Sequence, residues 1–90
     1  MTTDEFGCPV CGYLGLLEPA WRDDEPSEEI CPCCGTQFGY DDATGRDPRV
    51  RSDVHRRLRR EWIAAGSTWF SAGRPPPPGW EPAGQLERVR

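Results

Sequence analysis

"CPVCG" at residues 8–12 and "CPCCG" at residues 31–35 are two versions of one five-residue turn, and their reading decides the fold. In each, two cysteines separated by two residues can aim both sulfurs at a single centre. A proline after the first presets the turn, and a glycine after the second supplies a positive φ or a close backbone approach. Nineteen residues lie between Cys11 and Cys31, within the interval of about fifteen to twenty typical of paired zinc-ribbon turns. Cys8, Cys11, Cys31 and Cys34 are therefore the expected ligands of one metal ion. Four thiolates form a closed tetrahedral set that suits structural zinc (Zn2+), with iron (Fe) the competing ion for a soft sulfur cage. Cys33 is left over. It is expected to point away from the ion, either as a small side chain packed beneath its turn or as a redox-sensing thiol.

The remaining composition shows why a metal matters. Of 90 residues, 36% are hydrophobic and 29% charged, and there are ten glycines and ten prolines. A chain this short with so little apolar material is marginal without a staple. Apparent zinc affinity in small domains is about 10 to 16 kcal/mol, as large as the roughly 5 to 15 kcal/mol net stability of a whole domain. An odd number of cysteines, five, argues against a closed disulfide framework. The start "MTTDEFG" is acidic, and the longest apolar run, "YLGLL", is too short for a secretory or membrane-spanning segment. A reducing, cytoplasmic setting is the expectation, with no membrane partner.

Around the turns the sequence reads as one small metal-bound α+β domain, residues 1–90. Residues 6–42 form an expected zinc-ribbon-like lobe of three short β-strands, with "YLGLL" leaving the first turn, "RDDEPSEE" (22–29) as an acidic loop, and "TQFGY" following the second turn. Residues 47–66 carry a helix of roughly 48–65, with Asp47 as N-cap, Pro48 at the first helical position and Gly66 as the stop. At 100° per residue Val50, Val54, Leu58, Trp62 and Ala65 share an arc of about 120°, while Arg49, Arg56, Arg57, Arg59 and Arg60 cover the remainder. Arg51 falls at the seam's edge, His55 at its border, and Ile63 on the arginine side. Residues 67–90 are an irregular Pro/Trp-rich tail in which Trp69, Phe70 and Trp80 flank four prolines. That run is expected to lie as a stiff strap over the helix or lobe, or else to serve as a proline-rich ligand for another protein.

The charge is split along the chain. Residues 1–45 hold ten acids against Arg22 alone, and residues 46–90 hold ten arginines against five acids, for a net charge of −4 overall. Thiolate ligation of a divalent ion adds further negative charge to the acidic half, so the halves are expected to dock on each other.

"CPVCGY", "EICPCCG" and "FGYDD" resemble the cysteine-rich CPCC family of small bacterial proteins, and the individual turns look like the iron-binding knuckles of rubredoxins. The resemblance covers residues 6–42. It implies that Cys8, Cys11, Cys31 and Cys34 hold the metal and that Tyr40, Asp41 and Asp42 form an aromatic-acidic patch.

Three functions follow for comparison. Enzymatic catalysis finds little support: one histidine, a closed metal set and no phosphate loop leave no nucleophile–base constellation. Nucleic-acid binding would use the arginine helix, with Arg56, Arg59 and Arg60 on phosphates and Trp69 or Trp80 on bases; the acidic isoelectric point near 4.9 opposes it. The expected role is a protein–protein interaction module, an adaptor, regulator or immunity-type inhibitor, contacting its partner through the same arginines and tryptophans. A rubredoxin-like iron electron carrier is the remaining alternative.

Overall fold

A computed structural model describes residues 6–43 and 47–89. Both cysteine turns close with one hydrogen-bond pattern. Gly12 N donates to Cys8 O (2.9 Å) and Cys8 N to Tyr13 O (2.7 Å); Gly35 N donates to Cys31 O (2.8 Å) and Cys31 N to Thr36 O (2.9 Å). Both glycines have the positive φ that the turn demands, 88° and 80°, a region that any residue with a Cβ enters only at a cost.

The expected three-stranded lobe does not form. Each knuckle ends in a single antiparallel bridge, Phe6 with Leu16 and Ile30 with Gln37. Among the described residues the one ladder is a two-residue hairpin between β1, Trp21–Arg22, and β2, Glu25–Pro26, which starts one residue before the loop read as merely acidic. Asp23 turns it with φ 55°, a conformation aspartate tolerates better than most residues. "TQFGY" bends instead of extending because local hydrogen bonds outcompete a ladder. Asp41 Oδ2 accepts from Gln37 N at 2.8 Å, Tyr40 N and Asp41 N both return to Gln37 O, and Gly39 has φ 90°.

Helix α1, Pro48–Ala64, starts where the sequence placed it: Asp47 Oδ1 accepts from Arg49 N at 2.9 Å, and Pro48 occupies the first turn. It ends at Gly66, with φ 106°. Its buried face is a different one. Arg51, His55 and Trp62 are buried and Leu58 half-buried, while Val50 and Ala65 are exposed. At 100° per residue this rotates the inward face by about 50° from the apolar arc. The cause is tertiary: the first half of the helix meets a polar surface built from Trp21 and Asp42, and only its second half meets the apolar core.

That core is small, consisting of Val10, Tyr13, Leu16, Ala20, Phe38, Trp62 and Leu86 around the buried cysteines. The tail completes it. Phe70 N donates to Cys33 O and Ser71 N to Pro32 O, both at 2.9 Å. Trp69 stands edge-on between Tyr13 and Trp80, with both centroid distances 5.4 Å. A short helix, α2, Pro82–Leu86, then lays Gln85 and Leu86 into the interior; it was not read from the sequence. Pro75–Pro78 stay exposed.

The two halves of the chain meet chiefly through arginine donors on backbone carbonyls, with few carboxylate pairs. Arg59 Nε and Nη2 donate to Val10 O (2.7 Å) and Pro9 O (2.9 Å), Arg74 to Gly15 O (3.3 Å) and Arg88 to Gly12 O (3.5 Å). The tight turns strand these carbonyls, and buried backbone acceptors need partners.

Candidate metal centre

The knuckles converge from opposite sides. Cys8 Sγ lies 3.8 Å from Cys34 Sγ, Cys11 Sγ lies 3.8 Å from Cys31 Sγ, and all four sulfurs are within 4.8 Å of one another. Four sulfurs each about 2.3 Å from a central ion define a tetrahedron with edges of about 3.8 Å. The cage therefore fits a tetrahedral metal, and it is far too wide for disulfides, whose sulfurs sit about 2.05 Å apart. Cys8, Cys11 and Cys31 are essentially inaccessible, and Cys34 is half-buried. These four residues could hold a metal ion with every ligand position taken by protein.

Proton chemistry points the same way. Burial pushes the Cys8 thiol well up, and hydrogen bonding to Cys31, Cys33 and Cys34 pushes the Cys11 thiol up as well. Contacts from Cys11, Cys31 and Cys8 stabilise a thiolate at Cys34 and pull it down. Without a cation, one sulfur ionises at the expense of its neighbours; only a central positive charge lets all four release their protons. Backbone and hydroxyl groups are placed to stabilise the thiolates. Val10 N donates to Cys8 Sγ at 3.4 Å, and Thr36 Oγ1 sits 3.3 Å from Cys34 Sγ.

Cys33 stands outside this group. Its side chain is fully buried, and Gln85 Nε2 donates to its sulfur at 3.3 Å while also donating to Cys11 O at 3.0 Å. Trp80 Nε1 in turn donates to Gln85 Oε1 at 2.9 Å. The fifth thiol thus lies between the second knuckle and α2.

The surface residues singled out from the sequence scatter. Arg56 and Arg60 are exposed on α1, and Arg56 pairs with Asp53. Arg59 is turned inward onto the first knuckle. Trp69 and Trp80 are half-buried in the tail's aromatic stack. The acidic patch also divides: Tyr40 is 77% exposed, Asp41 caps its own turn, and Asp42 is fully buried.

Sequence reading placed Asp42 only in the aromatic-acidic patch and did not find its buried partners. Its Oδ2 accepts from Trp21 Nε1 and meets His55 Nε2, each at 2.7 Å, and its Oδ1 accepts from Gly39 N at 2.6 Å. Burial pushes its carboxyl up, but the hydrogen bonds from His55, Trp21 and Gly39 outweigh that and hold it below the ordinary value. A signal existed in a polar residue, Arg51, on a helix seam and a lone histidine at its border, both in need of partners.

Comparison with known proteins adds two relatives. A stretch of 37 residues is 43% identical to an uncharacterised Bacillus subtilis protein, YoaQ, covering 39% of this chain and 31% of that protein. A stretch of 38 residues is 37% identical to another, YozI, again covering 39% of this chain and 31% of the relative. The matched stretch spans about a third of each curated relative's length. No family model and no solved structure matches the chain. Among the described residues, no helix is long and apolar enough to cross a membrane.

Proposed function

We propose that this protein is a zinc-stabilised, non-enzymatic interaction module of the cytoplasm whose partner is another protein. The observation that carries the reading is the sulfur cage itself. Its four corners are all cysteine and its spacing matches a closed structural site, which supports a scaffold role, since a catalytic zinc keeps one position for water or substrate. The ion takes the place of the core that a chain with 36% hydrophobic residues lacks. Cys8 and Cys11 would hold it from one knuckle, Cys31 and Cys34 from the other, and its charge would neutralise the thiolates.

An interaction role is supported by what the fold leaves outside. Leu17 and Tyr40 are each 77% exposed and Phe70 61%. Three large apolar side chains in solvent are notable where so few apolar residues exist, and aromatic groups are frequent anchors at interfaces. A nucleic-acid reading draws on Arg49, Arg56 and Arg60, which face solvent on α1. Iron would fit the same cage and would make the protein coloured.

Native purification with elemental analysis tests the metal: one zinc per chain is expected, and stoichiometric iron with visible charge-transfer bands would replace the zinc reading by an electron carrier. Mass spectrometry of co-eluting material tests the partner. A protein retained by the wild type and lost on replacing Leu17, Tyr40 and Phe70 with serine supports the module. Nucleic acid retained through a salt wash and lost on replacing Arg56 and Arg60 would overturn it.

A further inference from the structure

A cavity of about 440 Å³ opens between the first knuckle, the β1–β2 hairpin and the start of α1, away from the sulfur cage. Its walls include Phe6, Pro9, Pro19 and Trp21 as apolar surface, and Arg51, Ser52 and His55 from the helix. That volume lies in the usual range for small-molecule sites, about 300 to 1,000 Å³.

Arg51 is its unusual member. The residue is 8% exposed, and its guanidinium is fixed from two sides. Cζ sits 3.7 Å over the Trp21 ring, and Nη1 donates to Asp23 O at 3.1 Å. Trp21 is itself pinned by Asp42 at 2.7 Å. The other two nitrogens, Nε and Nη2, are buried and have no hydrogen-bond partner among the described residues. Together they form the side edge of the guanidinium, whose two parallel N–H groups match the two oxygens of one carboxylate. Asp24 Oδ1 approaches Nη2 only to 4.0 Å, beyond hydrogen-bond reach, and that side chain is 62% exposed. Buried polar groups are almost always satisfied, so an oriented pair left open calls for a partner.

We propose that this cavity binds a small apolar monocarboxylate, its two oxygens on Arg51 Nε and Nη2 and its hydrocarbon body against Phe6, Pro9, Pro19 and Trp21. The surroundings select against more highly charged anions. Asp24 and Asp42 lie nearby, His55 is engaged by Asp42 at 2.7 Å, and among the described residues lining the cavity a single guanidinium gives a dianion no second cation. Because Nε and Nη2 are closed to water, the ligand reaches them by displacing the exposed Asp24 side chain, the internal competitor, while Asp23 O keeps its hold on Nη1.

Phenylacetate is titrated into the full-length, metal-loaded protein, with the Trp21 indole N–H followed by NMR and phenylacetamide and inorganic phosphate as comparison probes. Saturable binding of phenylacetate in the millimolar range or tighter is expected, with neither comparison probe saturating. Arg51→Lys keeps the charge and loses the fork, so affinity should fall about tenfold or more. Asp24→Asn should tighten binding about two- to fivefold, the range for an exposed like charge. Equal binding of acid and amide, tighter binding of phosphate, no saturation, or unchanged affinity in a folded Arg51→Lys variant would each overturn the proposal. So would a lowered melting temperature of Asp24→Asn without acid binding, because the fork would then belong to Asp24. None of these readouts depends on which metal the cage holds.

Discussion

Replacing Asp42 with asparagine removes one charge and almost no volume, and the structure fixes what must go wrong. Oδ2 serves both Trp21 and His55, and Oδ1 serves Gly39 N, in a site with no solvent access. An amide has one acceptor oxygen. If its nitrogen takes the Oδ2 position, it faces the Trp21 N–H; if it takes the Oδ1 position, it faces the Gly39 N–H. His55 can adapt by changing tautomer, but one buried donor is stranded either way, at about 1 to 3 kcal/mol. The remaining bonds lose their ionic partner, roughly halving their strength. Together the loss should be about 3 kcal/mol. In a domain of this size that lowers the melting temperature by roughly 12 to 24 °C. The measurement is urea and thermal unfolding of the metal-loaded protein at neutral pH, with metal content checked in both forms. The sign with pH is fixed as well. Since the folded carboxyl is held below its ordinary value, its contribution is complete above the unfolded carboxylate pKa of about 3.9 and is lost as pH falls from there through the folded value. A metal-loaded Asp42→Asn protein within about 1 kcal/mol of wild type would refute the role given to this carboxylate.

Other perturbations probe the cage and the strap. Stripping the ion with a strong chelator should unfold the lobe and take up protons at the sulfurs, and Cys11→Ser should bind no metal; retention of the native circular dichroism spectrum after stripping would contradict this. Gly12→Ala would drive a Cβ into the Gln85 carbonyl oxygen at φ 88°, so it should cost at least about 1 to 2 kcal/mol and release α2, visible as a change in Trp80 emission. Gln85→Leu leaves Cys11 O and Trp80 Nε1 without partners and should cost about 1 to 3 kcal/mol, measured by urea unfolding. In the folded, metal-loaded protein a slow alkylating agent should reach Cys34 first among the four, because it is the half-buried member and lines a surface cavity beside Asp41 and Glu61; peptide mapping reads the order.

Local pattern was enough for the features that depend on a few neighbouring residues. The two CPxCG turns, their glycines and the sulfur quartet follow from spacing, since the geometry of each turn is settled within five residues. The limits of α1 follow equally, because a cap, a proline and a glycine act within one turn. Strand length was misjudged for the opposite reason. "YLGLL" and "TQFGY" have β-prone composition, but a strand needs a continuous partner, and Asp41 closing on Gln37 N limits the second piece to a single bridge with Ile30.

The sequence alone determined the four cysteines that cluster, the helix and the scarcity of core, since each depends on residue type and short spacing. Only the tertiary structure decided which face of α1 turns inward, where Arg59 points, and that Asp42, Trp21, Arg51 and His55 meet. Those four come from three separate stretches of the chain, and a buried polar contact depends on partners that periodicity cannot see. The apolar arc marks where a helix would bury itself in oil; here half of it is buried against a carboxylate and an indole.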